Sequence, residues 1–356
     1  MTTLNVYPLT GFDPFQAYGK VEMGLWYSLA LQGVELTLLG HVRPDWYSFD
    51  QEAQLLGAGR QVADITLMTA NLDKAGTYPV KSTRKWLYTM VECTRLGDIM
   101  VDHINRLAER VLVPVPALVD VFYESGVKRP VHHIGYGADF CAPEWRAHSL
   151  PALTPDDPFI FLTYSQGDRR KGAEMVIQAF LEDYQGRPEY QLWIKARDGY
   201  QDTWLGGVAN ANLPNVKVIG GVQSDAQWHE LLYQAHCMVF LTRGEGIGYV
   251  PRDAVQAGLP AITTQWLGTY DADRWGLAVP LAGLLPVNHP GKFYERRNED
   301  NFWAVPDVAE TKRLMRWVAE HYDQATQMTR VGRAYLLTQT YSQVAKSIKQ
   351  LLERYG

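Results

Sequence analysis

The sequence predicts an α/β protein of two similar-sized domains, each built on a mostly parallel sheet. Three observations carry this. Short apolar runs alternate with helix-length segments in both halves, the pattern of strands joined by helical crossovers. A proline-rich stretch of little periodicity, CAPEWRAHSLPALTPDDP (141–158), separates the halves. The length of 356 residues, with 46% apolar and 21% charged side chains, suits two folded domains of ordinary size.

In the first half, LNVYPL (4–9) reads as a strand and GKVEMGLWYSLALQG (19–33) as a helix ended by Gly33. VELTLLG (34–40), DITLMTA (64–70), KWLYTM (85–90) and RVLVPV (110–115) follow as strands. Helices are expected near 96–108 and 117–126, and PVHHIGYG (130–137) closes the half. The second half repeats the pattern with strands FIFLTY (159–164), YQLWIKA (190–196), NVKVIG (215–220), CMVFLT (237–242) and PAITT (260–264). Between them fall the helices KGAEMVIQAFLEDY (171–184) and SDAQWHELLYQA (224–235), the latter with an aspartate in its cap region. The last fifty residues are strongly helical. The expected domains are 1–153 and 154–338, followed by a closing helical segment, 339–356. Two such domains are expected to meet in a cleft at the carboxyl ends of their strands, where open α/β sheets bind ligands.

Composition removes several function classes. Lys plus Arg is 34 against 39 Asp plus Glu, a net charge of -5, so there is no global attraction to nucleic acid or anionic membrane. Cys93, Cys141 and Cys237 have no paired spacing and are expected to be reduced. MTTLNVYPLTGF lacks a secretion signal and no run reaches 18 apolar residues, which points to the cytoplasm. H-E-x-x-H, G-x-S-x-G, G-x-G-x-x-G and a P-loop ending are all absent.

Chemistry concentrates in RGEGIGYVPRDAVQAGLPAITT (243–264). Glu245 directly follows the strand 237–242, and Gly246 and Gly248 would let backbone N–H groups approach a ligand. Pro251 is placed to open a helix and Gly258 to end it, which would put Asp253 in the first turn. There a carboxylate can accept two ribose hydroxyls, with Glu245 on a second polyol, or Asp253 simply stabilises the helix terminus. The second group is YSQGDRRKGAEM (164–175), where Arg169, Arg170 and Lys171 precede a helix start suited to a diphosphate. Three adjacent cations cannot all face inward, and Lys171 before Gly172 is the first choice. GFDPFQAYGKVEMG (11–24) is either a ligand-covering loop, with Gly19 near the helix start, or plain surface. Of the histidines, His132 and His133 face opposite ways on a strand. His103 lies in a helix, and His41, after the second strand, is better placed.

These segments resemble the retaining, nucleotide-sugar-dependent glycosyltransferases of the GT4 family, which have the GT-B fold of two Rossmann-like domains. EGIGYVPRDAVQAGLP is similar to that family's segment with two acidic residues eight apart, and DRRKGAEMVIQAF to its Lys-Gly loop. FYESGVKRPVHHIGYGADFCAPE (122–144) and YTMVECTRLGDIMVDHINRLAERVLVPV (88–115) extend the likeness over most of the chain, least specifically in the first third. The resemblance implies Glu245 and Lys171 as the catalytic pair, on the donor sugar and diphosphate respectively. It puts Asp253 on the ribose, with Gly246, Ile247, Gly248 and Tyr249 alongside the donor, and Gly19 beneath the diphosphate. It also implies that residues 340–355 form a helix crossing back to the first domain. Three positions depart from the family. Asp253 stands for a Glu and Arg243 for a small residue. Gln166 stands for the phosphate-binding Arg, which Arg169 or Arg170 would replace.

The implied co-substrate is a nucleoside-diphosphate sugar, UDP- or GDP-linked first, with no tightly bound cofactor and no metal requirement. Acceptor-side candidates are Asp13, Tyr18, His41, Glu92 and Arg95. A glycan, a small molecule, a lipid-linked sugar or a modified DNA base would each serve as acceptor. The alternatives are a phage-type DNA-base glycosyltransferase, a non-catalytic nucleotide-sugar or glycan binding module, and an epimerase-like enzyme that needs no acceptor. A dinucleotide enzyme is least favoured, for want of the glycine fingerprint.

Overall fold

The computed structural model describes residues 3–7, 17–39, 63–69, 84–139, 157–221, 224–288 and 294–356. Asp13, His41 and the expected linker through residue 156 lie outside the described residues, and of Tyr18 only the backbone is described. The chain divides into two compact units. The first comprises Met1–Phe140, Pro286–Phe302 and Gln339–Gly356, and the second Cys141–Leu285 and Trp303–Thr338.

The first unit is a six-stranded sheet in the order β2-β1-β3-β4-β5-β6, parallel throughout. Its elements are β1 (Thr3–Tyr7), α1 (Ala17–Leu31), β2 (Glu35–Leu38), β3 (Ile65–Thr69) and β4 (Arg84–Tyr88). They continue with α2 (Asp98–Leu107), β5 (Arg110–Val113), α3 (Ala117–Glu124) and β6 (Val131–His133). The strands are apolar because a parallel sheet is covered on both faces. Leu4, Val6, Leu67, Trp86, Val111 and Leu112 are fully buried. The C-terminal helix Tyr341–Tyr355 packs on α1. The Tyr341 ring fills the space left by Gly24 and Gly137, and Gln32 donates to the Ser342 carbonyl at 2.7 Å.

The segment 286–302 also joins this unit, an excursion without a sequence signal. Arg296 pins it, with Nε 2.9 Å from Asp300 and Nη1 donating at 3.1 Å to the carbonyls of Leu96 and Ser125.

The second unit has β7 (Phe159–Ser165), α4 (Ala173–Tyr184), β8 (Tyr190–Ala196), α5 (Trp204–Asn210), β9 (Val216–Ile219), α6 (Asp225–Gln234) and β10 (Cys237–Phe240). After these come α7 (Tyr249–Gln256), β11 (Ala261–Thr264), α8 (Ala272–Trp275), β12 (Leu277–Val279), β13 (Leu281–Pro286), β14 (Phe302–Pro306), α9 (Val308–Glu320) and α10 (Tyr322–Leu336). Its sheet runs β12-β11-β10-β7-β8-β9, again parallel. From β7 the chain winds outward through β8 and β9, then returns to the other side of β7 with β10. The switch point therefore lies between β7 and β10, the place where such sheets open a crevice for ligands. Phe161, Phe180, Leu192, Ile194, Val239 and Met315 form the core on one face of this sheet. Each such side chain contributes roughly 1.5–3 kcal/mol by burial.

Local start signals shift three expected boundaries. The helix expected from 171 starts at Ala173, because Arg169–Lys171 form a 3-10 turn and Gly172 is left-handed at φ 68°. The helix after Glu245 starts at Tyr249 behind a left-handed Gly248, so Asp253 falls in its second turn rather than its first. Ser224, not the expected aspartate, caps α6 through a capping box with Gln227. No helix among the described residues is long and apolar enough to cross a membrane.

Candidate active site

The loops after β7 and β10 meet at the switch point, and their sequences explain how. After β7, Asp168 accepts from the Lys171 N–H at 3.3 Å and closes the 3-10 turn. Gly172 then reverses the chain in the left-handed region, where a Cβ would overlap the Leu241 carbonyl oxygen. That close approach places residues 169–171 against 241–245. The Arg243 N–H donates to the Arg170 carbonyl at 2.7 Å, and the Arg243 side chain pairs with Glu174.

The result is a buried ion pair. Lys171 Nζ stands 2.6 Å from Glu245 Oε1, with the two side chains 7% and 12% exposed. Arg170 Nη1 lies 3.5 Å from the same oxygen and donates to the Gly244 carbonyl at 2.7 Å. The Thr242 hydroxyl adds a contact to Glu245 Oε1 at 3.1 Å. Burial pushes the Glu245 carboxyl up, but Lys171 and Arg170 outweigh it and hold the group below the ordinary carboxylate range. Burial pulls the Lys171 ammonium down, Arg170 adds to this, and Glu245 opposes it. Two cations thus converge on one carboxylate at the carboxyl ends of two central strands.

The expected residues separate clearly. Arg169 is exposed, so of the two arginines only Arg170 reaches the pair. Gln166 donates to the Tyr164 hydroxyl at 3.1 Å. Gly246, Ile247 and Gly248 are buried beside the pair, Tyr249 opens α7, and Asp253 is buried on that helix. Gly19 is buried in the first turn of α1, in the other unit. Glu92 and Arg95 are both tied to neighbours within the first unit. Glu92 accepts from the Tyr294 hydroxyl at 3.1 Å, and Arg95 pairs with Glu124 at 2.8 Å.

Sequence reasoning passed over Arg252, which has no exposed side-chain surface. Its Nη1 donates to the carbonyls of Ile247, Gly248 (3.2 Å) and Gly268 (2.8 Å), and Nη2 lies 2.6 Å from Asp271 Oδ1. Asp271 also accepts from Trp275 Nε1 at 3.0 Å and the Tyr335 hydroxyl at 3.1 Å. The Gly268 N–H donates back to the Glu245 carbonyl at 2.9 Å, so this network holds the 245–248 loop from behind. The signal available was a charged residue inside the helical repeat, next to the aspartate that drew attention. Among the described residues no group of three or more His, Cys, Asp and Glu side chains is placed to hold a metal.

Residues 148–272, which contain both loops, match the family described as Glycosyl transferases group 1. No curated protein matches the chain. Among solved structures it is similar to a sucrose-phosphate synthase from Thermosynechococcus elongatus, with a TM-score of 0.65 and 16% identity over 99% of both chains. Anabaena HepE, in complex with UDP and glucose, gives 0.63 and 14% over 99% of this chain and 100% of that one. TarM gives 0.58 and 13%, covering 82% of this chain and 56% of TarM, so the chain spans about half the length of that protein. The two parallel sheets and these neighbours make the fold GT-B. The matched segment lies in the second unit of that fold.

Proposed function

We propose that this chain is a retaining transferase of the GT4 type that moves a sugar from a nucleoside-diphosphate sugar to an acceptor hydroxyl. The observation that carries the reading is the buried Lys171–Glu245 pair at the sheet's switch point, inside the matched segment. In the reaction the bond between the anomeric carbon and the phosphate oxygen breaks, and negative charge grows on the diphosphate. Lys171 and Arg170, both largely buried, stabilise that charge where it develops. Glu245 turns from its cations to the donor sugar's hydroxyls, and Asp253 holds the ribose. The acceptor oxygen bonds to the anomeric carbon from the face the phosphate leaves, and the phosphate oxygen takes the acceptor's proton. The products are the glycoside and a nucleoside diphosphate.

The solved HepE complex holds UDP, which makes UDP the first donor nucleotide to test and GDP the second. Glycans and small molecules rank ahead of modified DNA as acceptors, because a net charge of -5 gives a duplex no general attraction. We place the enzyme in the cytoplasm and its acceptor site on the first domain.

The test combines thermal shift with UDP, GDP, ADP and TDP with slow hydrolysis of the matching sugar conjugates. Wild type is compared with Glu245→Ala and Lys171→Ala. One nucleotide should raise the melting temperature, and both substitutions should abolish sugar release. If no nucleotide binds at low-millimolar concentration the transferase reading falls. Binding with no release under any acceptor would leave a non-catalytic binding module.

A further inference from the structure

Every strongly buried cation around the switch point has an anion beside it. Lys171 and Arg170 share Glu245, Arg243 has Glu174, and Arg252 has Asp271. Lys195 is different. It is the penultimate residue of β8, paired in register with Tyr164 on β7, and half-buried. Among the described residues its ammonium makes neither a hydrogen bond nor an ion pair. Its ammonium lies 4.8 Å from the centroid of the Tyr164 ring. The same ring centroid is 5.9 Å from Lys171 Nζ, so one aromatic side chain neighbours both ammonium groups.

The surrounding loops place Lys195 at the same edge of the sheet as the Lys171–Glu245 pair. The Arg197 N–H donates to the Ser165 carbonyl at 3.1 Å, joining the ends of β7 and β8. Gly167 packs on Thr203, the cap of α5. Gln166 hangs on the Tyr164 hydroxyl, leaving a neutral amide at that point of the loop. The charged groups that act on Lys195 are Asp198, whose carboxylate already accepts the Gly221 N–H at 3.2 Å, and Arg197. Neither is within ion-pair distance. A half-buried ammonium has given up part of its hydration, here offset by the Tyr164 ring, and a ligand's phosphate would supply the missing anion. Burial indeed pulls its pKa down.

We propose that Lys195 is an additional donor-binding cation, contacting a phosphate oxygen of the bound nucleoside diphosphate across the Tyr164 ring from Lys171. This rests on the donor reading above. It makes Lys195 and Tyr164 part of the anion site, with the charge that position 166 lacks supplied from the neighbouring strand.

The test is calorimetric binding of UDP, GDP and uridine to wild type, Lys195→Met, Lys195→Arg, and Lys195→Met with Gln166→Arg. Loss of one charge-assisted contact should weaken nucleoside diphosphate binding about tenfold in Lys195→Met. Uridine binding should not change, and the defect should shrink as salt is raised. Lys195→Arg should bind within about threefold of wild type, and Gln166→Arg should restore most of the loss in the methionine background. The methionine keeps the stem on Tyr164, so an unchanged melting temperature verifies folding. If Lys195→Met binds diphosphates as wild type does, or loses uridine equally, the proposal is overturned while the donor reading stands. If wild type binds neither UDP nor GDP, both fall together.

Discussion

Arg252→Met separates the loop architecture from the chemistry it carries. The substitution keeps length and apolar volume but removes the guanidinium from a site with no exposed side-chain surface. Breaking a buried ion pair by deleting one partner costs about 3–5 kcal/mol, because the remaining charge stays buried. Here Asp271 keeps the Trp275 and Tyr335 donors, which places the cost at the lower end, about 3 kcal/mol. For a domain of this size that is a melting-temperature drop of roughly 6–12 °C. Asp271→Asn in the same background removes the orphaned charge and should recover about 1 kcal/mol, a coupling that a double-mutant cycle reads directly. The carbonyls of Ile247, Gly248 and Gly268 also lose their shared donor. UDP binding measured well below the variant's melting temperature should therefore weaken as the 245–248 loop loosens. Thermal unfolding followed by circular dichroism, then calorimetry, gives both quantities. A melting temperature within about 1 °C of wild type, or a cycle with zero coupling, would refute the reasoning.

Two further outcomes follow from the same loops. Glu245 is held below the ordinary carboxylate range by Lys171 and Arg170, so its contribution to stability is complete above the unfolded value. That contribution is lost as pH falls through the depressed one. The melting-temperature gap between wild type and Glu245→Gln should accordingly be flat at neutral pH and close only below the usual carboxylate range. A gap that closes between pH 6 and 7 would contradict the ion pair. Gly172→Ala combines a left-handed φ of 68° with overlap on the Leu241 carbonyl, whereas Gly186→Ala meets the same φ problem with nothing nearby. The second should cost about 1 kcal/mol and the first well over that, enough to abolish soluble expression or nucleotide binding. Equal melting temperatures for the two variants would count against the loop contact.

What was legible in the sequence is what depends on period and punctuation. Parallel strands buried on both faces read as apolar runs, and so β7, β8 and β10 were placed within two residues of their observed ends. Lys171 and Glu245 follow such ends, which makes them candidates by sequence, and the structure brings their side chains together. The weak points were short or half-exposed elements. β12 is three residues long and β13 is largely exposed, so neither carries a burial period to detect. Glu92 and Arg95 are acceptor-side candidates by sequence, and the structure gives both a protein partner. Their partners, Tyr294 and Glu124, are 202 residues away in the first case and on a neighbouring helix in the second, and no local pattern announces either.

Arg252 and Lys195 show why a charge alone cannot be read. Each sits where a sequence argument expects either a solvated face or an apolar core position. What distinguishes them is acceptors, and acceptors are a property of turns. Gly248 in the left-handed region and the 267–269 turn aim three carbonyls at one guanidinium, and Asp271 balances its charge inside the protein. No turn does that for Lys195. The loop after β8 offers Asp198 to a backbone N–H instead. The same unit therefore holds one buried cation with an internal anion and one half-buried cation without. The first is a fixture of the scaffold, and the second is where an incoming phosphate has most to gain. Stability assays should be sensitive to Arg252 and nearly blind to Lys195, and nucleotide affinity should respond to both.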